Sequence, residues 1–172
     1  MMKYILTLCL GLVFGVLSAQ ANFELSTLRV GPFHLKMSIE EAEKIAGKKL
    51  QINEIYTSFN AVRYNDEVIN LNVFESYGDN NSKEKKISVI KAKSPKFKTK
   101  SGAGVGTTRY QLLEMYKDFP SFEVFQSWND DGTINKVESV FNLNDTTSGT
   151  VLMFSLRNNI VVEVSVFYDE GC

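Results

Sequence analysis

The chain has 172 residues, of which 44% are hydrophobic and 23% charged. That balance excludes a disordered chain, and the length allows one sizeable core or two small halves sharing one. With 19 basic against 20 acidic residues and a formal net charge of −1, nothing in the charge points to nucleic acid as a partner.

The first residues read as an export signal. Met1-Met2-Lys3 gives a positive start, Tyr4 to Leu17 is apolar and uncharged, and Ser18-Ala19-Gln20-Ala21 ends in an Ala-x-Ala site. The apolar run is too short to span a bilayer comfortably, so residues 1–21 are expected to be cleaved, with no stable membrane insertion afterwards. Asn22, not a cysteine, follows the site, which argues against a lipid anchor. The expected location is periplasmic or secreted. Cleavage removes Cys9 and leaves Cys172, so no intrachain disulfide is expected.

From Phe23 to Leu35 an extended lead-in is interrupted by Gly31-Pro32. Ser38 then stands at a helix N-cap with Glu41 three residues later, the spacing of a capping box. Ile39, Ala42 and Ile45 share one helical face, and Gly47 offers a stop. Alternation predicts strands at Ile52–Thr57, Val62–Asn65, Ile69–Phe74 and Ile87–Lys93, with turns at Asn65-Asp66 and Gly78–Ser82.

A second helix signal follows, 70 residues after the first, where Thr107 or Thr108 caps Leu112, Met115 and Tyr116 and Phe119-Pro120 ends the run. Four more strand patterns come next, at Phe122–Trp128, Ile134–Leu143, Thr150–Arg157 and Ile160–Tyr168. Asn129–Gly132 and Arg157–Asn159 read as hairpin turns. The expected fold is therefore α+β. Two tandem repeats, about 25–97 and 98–172, would each carry a helix and a four-stranded meander. Together they would form one domain over 22–172, an antiparallel sheet with helices packed on one face.

This pattern resembles the tandem-repeat fold of secreted beta-lactamase-inhibitor-like proteins. The run Met37-Ser38-x-x-Glu41-Ala42-x-x-x-x-Gly47 is also similar to small envelope lipoproteins that take part in outer-membrane protein assembly. Lys36 stands where such motifs usually carry glycine. The resemblance implies a non-enzymatic binding module whose partner is another exported or envelope protein. It transfers no contact residue position by position.

Residues that could carry chemistry are few. The single histidine, His34, has no nucleophile or acid motif beside it, and one histidine with one terminal cysteine does not supply a zinc site. No catalytic residue, cofactor or metal is therefore expected. Gly102–Gly106 leads into a helix and could cradle an anion, but it lacks the lysine of a phosphate loop. An envelope hydrolase or small-ligand binder built on His34 or on this loop is the alternative function. Lys91, Lys93, Lys96 and Lys98 alternate along an extended stretch and could meet a polyanion. Trp128, Phe125, Val151 and Met153 are the candidates for contact with a partner, because aromatic residues and methionine are enriched at interface centres.

Overall fold

The computed structural model describes residues 22–53, 58–77 and 82–169. The expected signal segment and Cys172 lie outside these residues, as do most of the strand expected at 52–57 and most of the turn expected at 78–82.

The described residues form β1 (Arg29–Val30), β2 (Phe33–His34), α1 (Ile39–Ala46), β3 (Asn60–Tyr64), β4 (Glu67–Tyr77), β5 (Lys83–Ala92), α2 (Arg109–Tyr116), β6 (Phe122–Trp128), β7 (Ile134–Asp145), β8 (Thr150–Arg157) and β9 (Ile160–Tyr168). β1 and β2 make a small hairpin of their own. The other seven strands form one antiparallel sheet in the order β3-β4-β5-β9-β8-β7-β6. This overturns the expected pair of helix-plus-four-stranded repeats. The described residues are mostly sheet, their two helices have 8 residues each, and those before α2 put three strands into the main sheet against four after it. The physical reason is that strands pair across the two halves, β5 with β9, which makes one continuous sheet and not two repeats. Ahead of β3, Gln51 and Asn53 bond the Asn60 side chain, and Asn53 exchanges two bonds with the backbone of Val73.

Turn chemistry sets the hairpins. Asn65 and Asp66 (φ 46° and 67°) join β3 to β4, and Asn158 and Asn159 (φ 52° and 61°) join β8 to β9. Two consecutive left-handed residues match the right-handed twist of the flanking strands. At the β7–β8 turn Asp145 Oδ1 accepts hydrogen bonds from the amides of Thr147 and Ser148, and Asp145 Oδ2 accepts one from Thr27 Oγ1. The Ser148 amide, with these further bonds, holds the Asp145 carboxyl below the usual aspartate value.

One face of the sheet is the core face. Leu71, Ile90, Val166, Leu152, Leu143 and Phe122 stand abreast across six strands, and Ile69, Ala92, Val164, Phe154, Phe141 and Val124 stand abreast in the next row. α1 packs here through Ile39 and Ala42, and α2 through Leu112 and Tyr116. The Tyr116 ring lies 6.1 Å from Phe141 and 6.3 Å from Phe154, and its hydroxyl shares a 2.8 Å hydrogen bond with Thr99. Burial raises the Tyr116 phenol above its ordinary value, so it is neutral at physiological pH.

Both helices open on the same device. Ser38 accepts from the Glu41 amide and Thr108 from the Gln111 amide, each with the reciprocal bond of a capping box. The residues just before each cap pair with a strand: Lys36 and Met37 with Ile87, Gly106 and Thr107 with Val161. Each helix is thereby tied to the sheet edgewise as well as through its apolar face. Lys36 takes the left-handed conformation (φ 64°), which glycine adopts more readily, and its ammonium sits over the Tyr168 ring at 5.1 Å. We expect Ser38→Ala to destabilise the protein by about 1 kcal/mol, because the Glu41 amide loses its acceptor. Urea denaturation would measure it as a lower midpoint with an unchanged slope.

Candidate functional site

Because side chains alternate along a strand, every inward row on the sheet implies an outward one. On the face away from the helices, Asn70, Lys91, Ser165, Met153 and Asn142 stand abreast across β4, β5, β9, β8 and β7. In the next row stand Asn72, Val89, Phe167, Val151 and Asn144. On the other side of the central row Lys93 meets Glu163 at 3.5 Å, and Glu163, Ser155, Val140 and Phe125 continue across the sheet. This face is mixed: Met153, Val89, Phe167 and Val151 form an apolar cluster, with Lys91 and Ser165 beside it and Asn70, Asn72, Asn142 and Asn144 bounding it on either side, and apolar surface with a polar border is the layout of a binding surface.

Its middle is a depression of about 390 Å³ lined by Val89, Lys91, Met153, Ser165, Phe167 and Asp169, among others. The small side chain of Ser165 makes the floor, with Lys91 on one side and Met153 on the other. Ser165 is fully buried, and its hydroxyl has no hydrogen-bonding partner; Asn142 Oδ1, beyond Met153 in the same row, is buried and equally unpartnered. Buried polar atoms without partners are rare in folded proteins, since each carries an uncompensated desolvation cost. The Lys91 ammonium lies 4.5 Å from the centre of the Phe59 ring, which places the 58–59 segment against the β5 side of the face. Asn72, fully buried, fixes the same segment through a 2.8 Å bond to the Ser58 carbonyl. A second hollow of about 330 Å³, lined by Lys93, Glu138, Val140 and Glu163 among others, adjoins it toward the β8–β9 turn. There Arg157 donates two bonds, of 2.8 and 3.2 Å, to Glu138 Oε1.

The residues singled out from the sequence fall in three places. Lys91, Lys93, Val151, Met153 and Phe125 all project from the open face, brought together by the β5–β9 and β8–β9 pairings. Met153 flanks the depression, Val151 is buried beside Phe167, and Phe125 is about half exposed two strands away. Trp128 lies apart. It sits opposite Ile134 at the far end of the β6–β7 hairpin, past a register shift, and is 68% exposed.

Lys96 and Lys98 belong to the segment that joins the two halves of the chain. Lys96 pairs with Glu67 at 2.7 Å and lies over the Phe23 ring, while the Lys98 ammonium donates to the Val105 carbonyl. The four lysines therefore do not form one cationic face. The glycine segment turns its amides inward as well. Gly102, Ala103, Gly104 and Gly106 donate to Thr99, Thr107 and Val161, so this loop presents no cradle to an anion. His34, half-buried in β2, holds its Nδ1 2.9 Å from the Leu35 carbonyl.

Ser165, Phe167, Val89 and Asn142 were not identified from the sequence. Alternation shows that Val89 pairs in face with Lys91, and Ser165 with Phe167. Only the pairing of β5 with β9 places the two sets in one hollow. No protein-family model, curated protein or solved structure matches this chain at a significant level. Among the described residues no helix is long and apolar enough to cross a membrane.

Proposed function

We propose that this is a non-enzymatic binding module, exported to the periplasm or beyond, that docks another exported or envelope protein on the open face of its seven-stranded sheet. The observation that carries the reading is the composition of that face. Val140, Met153 and Phe167 are only partly covered, Phe125 is 48% exposed, and charged pairs such as Lys93–Glu163 and Arg157–Glu138 rim them. Among the described residues the helices pack on the opposite face, and on this one the 58–59 segment reaches only its β5 side, which leaves Phe125 and Met153 partly open. The export signal read at residues 1–21 agrees with an envelope partner.

Site-specific photocrosslinking tests the reading. A photoreactive phenylalanine analogue at Phe125 or Met153 is expected to give one adduct of defined mass in cells that export the protein. The same analogue at Ile45, exposed on α1, is expected to give none. Equal adducts from Ile45, or none from either sheet position, would reject the open face as the docking surface.

A further inference from the structure

The central depression has an electrostatic direction along β9. Ser165, Phe167 and Asp169 follow one another on its floor and far edge, and Lys91 stands beside Ser165 at one end. Four residues of extended chain separate Ser165 from Asp169, about 13 Å at the usual rise. The hollow is thus cationic with an orphan hydroxyl at one end, apolar in the middle at Val89 and Phe167, and bounded by Asp169 at the other end. Glu163, the nearest carboxylate beyond Ser165 on this face, is countered by Lys93, so the head of the hollow keeps its positive sign. The volume admits roughly a dozen water-sized groups.

We propose that this depression binds a small amphipathic monocarboxylate, with the carboxylate held by the Lys91 ammonium and the Ser165 hydroxyl and the apolar body lying over Val89, Met153 and Phe167. Ser165 supplies the O–H donor that a carboxylate accepts, and that hydroxyl finds no partner elsewhere in the fold. Lys91 makes the second bond charge-assisted, and its stem can swing from the Phe59 ring over the hollow. The apolar middle at Val89 and Phe167 offers no counter-charge to a second carboxylate, so the site selects monoanions over diacids. A desolvated hydroxyl kept without a partner is costly to stability, and ligand recognition gives it a use. The site shares Met153 and Phe167 with the surface proposed to dock a protein, but small-ligand binding is read without any protein partner, so either reading can fail alone.

Calorimetric titration of the protein with octanoate at neutral pH tests the inference, with octylamine, octanol and suberate as comparison probes. Octanoate is expected to saturate one site, with the three others about tenfold weaker. Lys91→Gln is expected to weaken octanoate about tenfold and Lys91→Arg to retain most of the affinity. Ser165→Ala is expected to weaken octanoate about fivefold while leaving the urea midpoint unchanged or raised, which separates loss of a ligand contact from loss of fold. The inference is overturned by octylamine, octanol or suberate binding as tightly as octanoate. It is equally overturned by Lys91→Gln or Ser165→Ala binding like the parent, or by no saturable heat up to about 10 mM octanoate.

Discussion

Phe141→Ala is expected to destabilise the protein by about 3–5 kcal/mol, a large share of the total stability of a domain this size. Phe141 is fully buried at the point where β7 meets both α2 and β8. Its ring stacks on Phe122 at 5.5 Å and an interplanar angle of 5°, meets Phe154 edge-on at 6.2 Å, and touches Tyr116 of the helix. Truncation removes the transfer energy of the ring and leaves a cavity among rigid aromatic neighbours that cannot collapse into it. The loss should appear as a lower urea midpoint and a lower melting temperature. Phe125→Ala, on the same sheet but half exposed on the open face, is expected to change stability by less than about 1 kcal/mol. If the two substitutions cost the same, the assignment of core and open faces is wrong.

The second large effect is expected at Gly104. A Cβ at this position would lie 2.3 Å from the Phe97 carbonyl oxygen and 2.9 Å from Lys98 Cδ. The first of these is backbone, so relief requires the Phe97 and Gly104 parts of the linking segment to move apart. That segment carries the Thr99–Ala103 turn and the seat of the fully buried Phe97, against which Phe23 packs at 5.4 Å. Gly104→Ala is therefore expected to cost about 3 kcal/mol, at the upper end for overpacking. Gly102→Ala and Gly106→Ala offer the contrast. Both positions have positive φ (86° and 89°) but open space where the Cβ would go, so each is expected to cost only the conformational penalty of about 1–2 kcal/mol. Chemical denaturation of the three variants side by side would read the difference. A Gly104→Ala variant no less stable than Gly102→Ala would show that the linking segment yields freely.

The same glycines show why a motif in sequence is ambiguous. Gly102–Gly106 before a helix cap has the look of an anion-binding loop, yet its glycines serve close backbone approach at Gly104 and left-handed turns on either side, with the amides bonded inward. Thr99 and Thr107 lie within four residues of the amides they accept from, but Val161, which accepts from Gly106, comes from β9, and that pairing is not written in the loop. The lysines divide for a similar reason. Lys91 and Lys93 leave β5 on the open face, whereas the turn after Ala92 carries Lys96 and Lys98 to Glu67 and Val105.

What the chain determined by itself was local. The caps at Ser38 and Thr108, the left-handed turns at Asn65-Asp66 and Asn158-Asn159, and the alternating faces of β4, β5, β8 and β9 follow from side-chain chemistry within a few residues, where the backbone has few alternatives. Tertiary structure alone decided that, among the described residues, the main sheet takes three strands from before α2 and four from after it. It alone decided that β5 lies beside β9, so that Lys91 meets Ser165 and a hollow opens on the uncovered face. Periodicity states which face of a strand is apolar. Which strands become neighbours depends on contacts between residues more than 70 positions apart, whose summed burial outweighs any local preference.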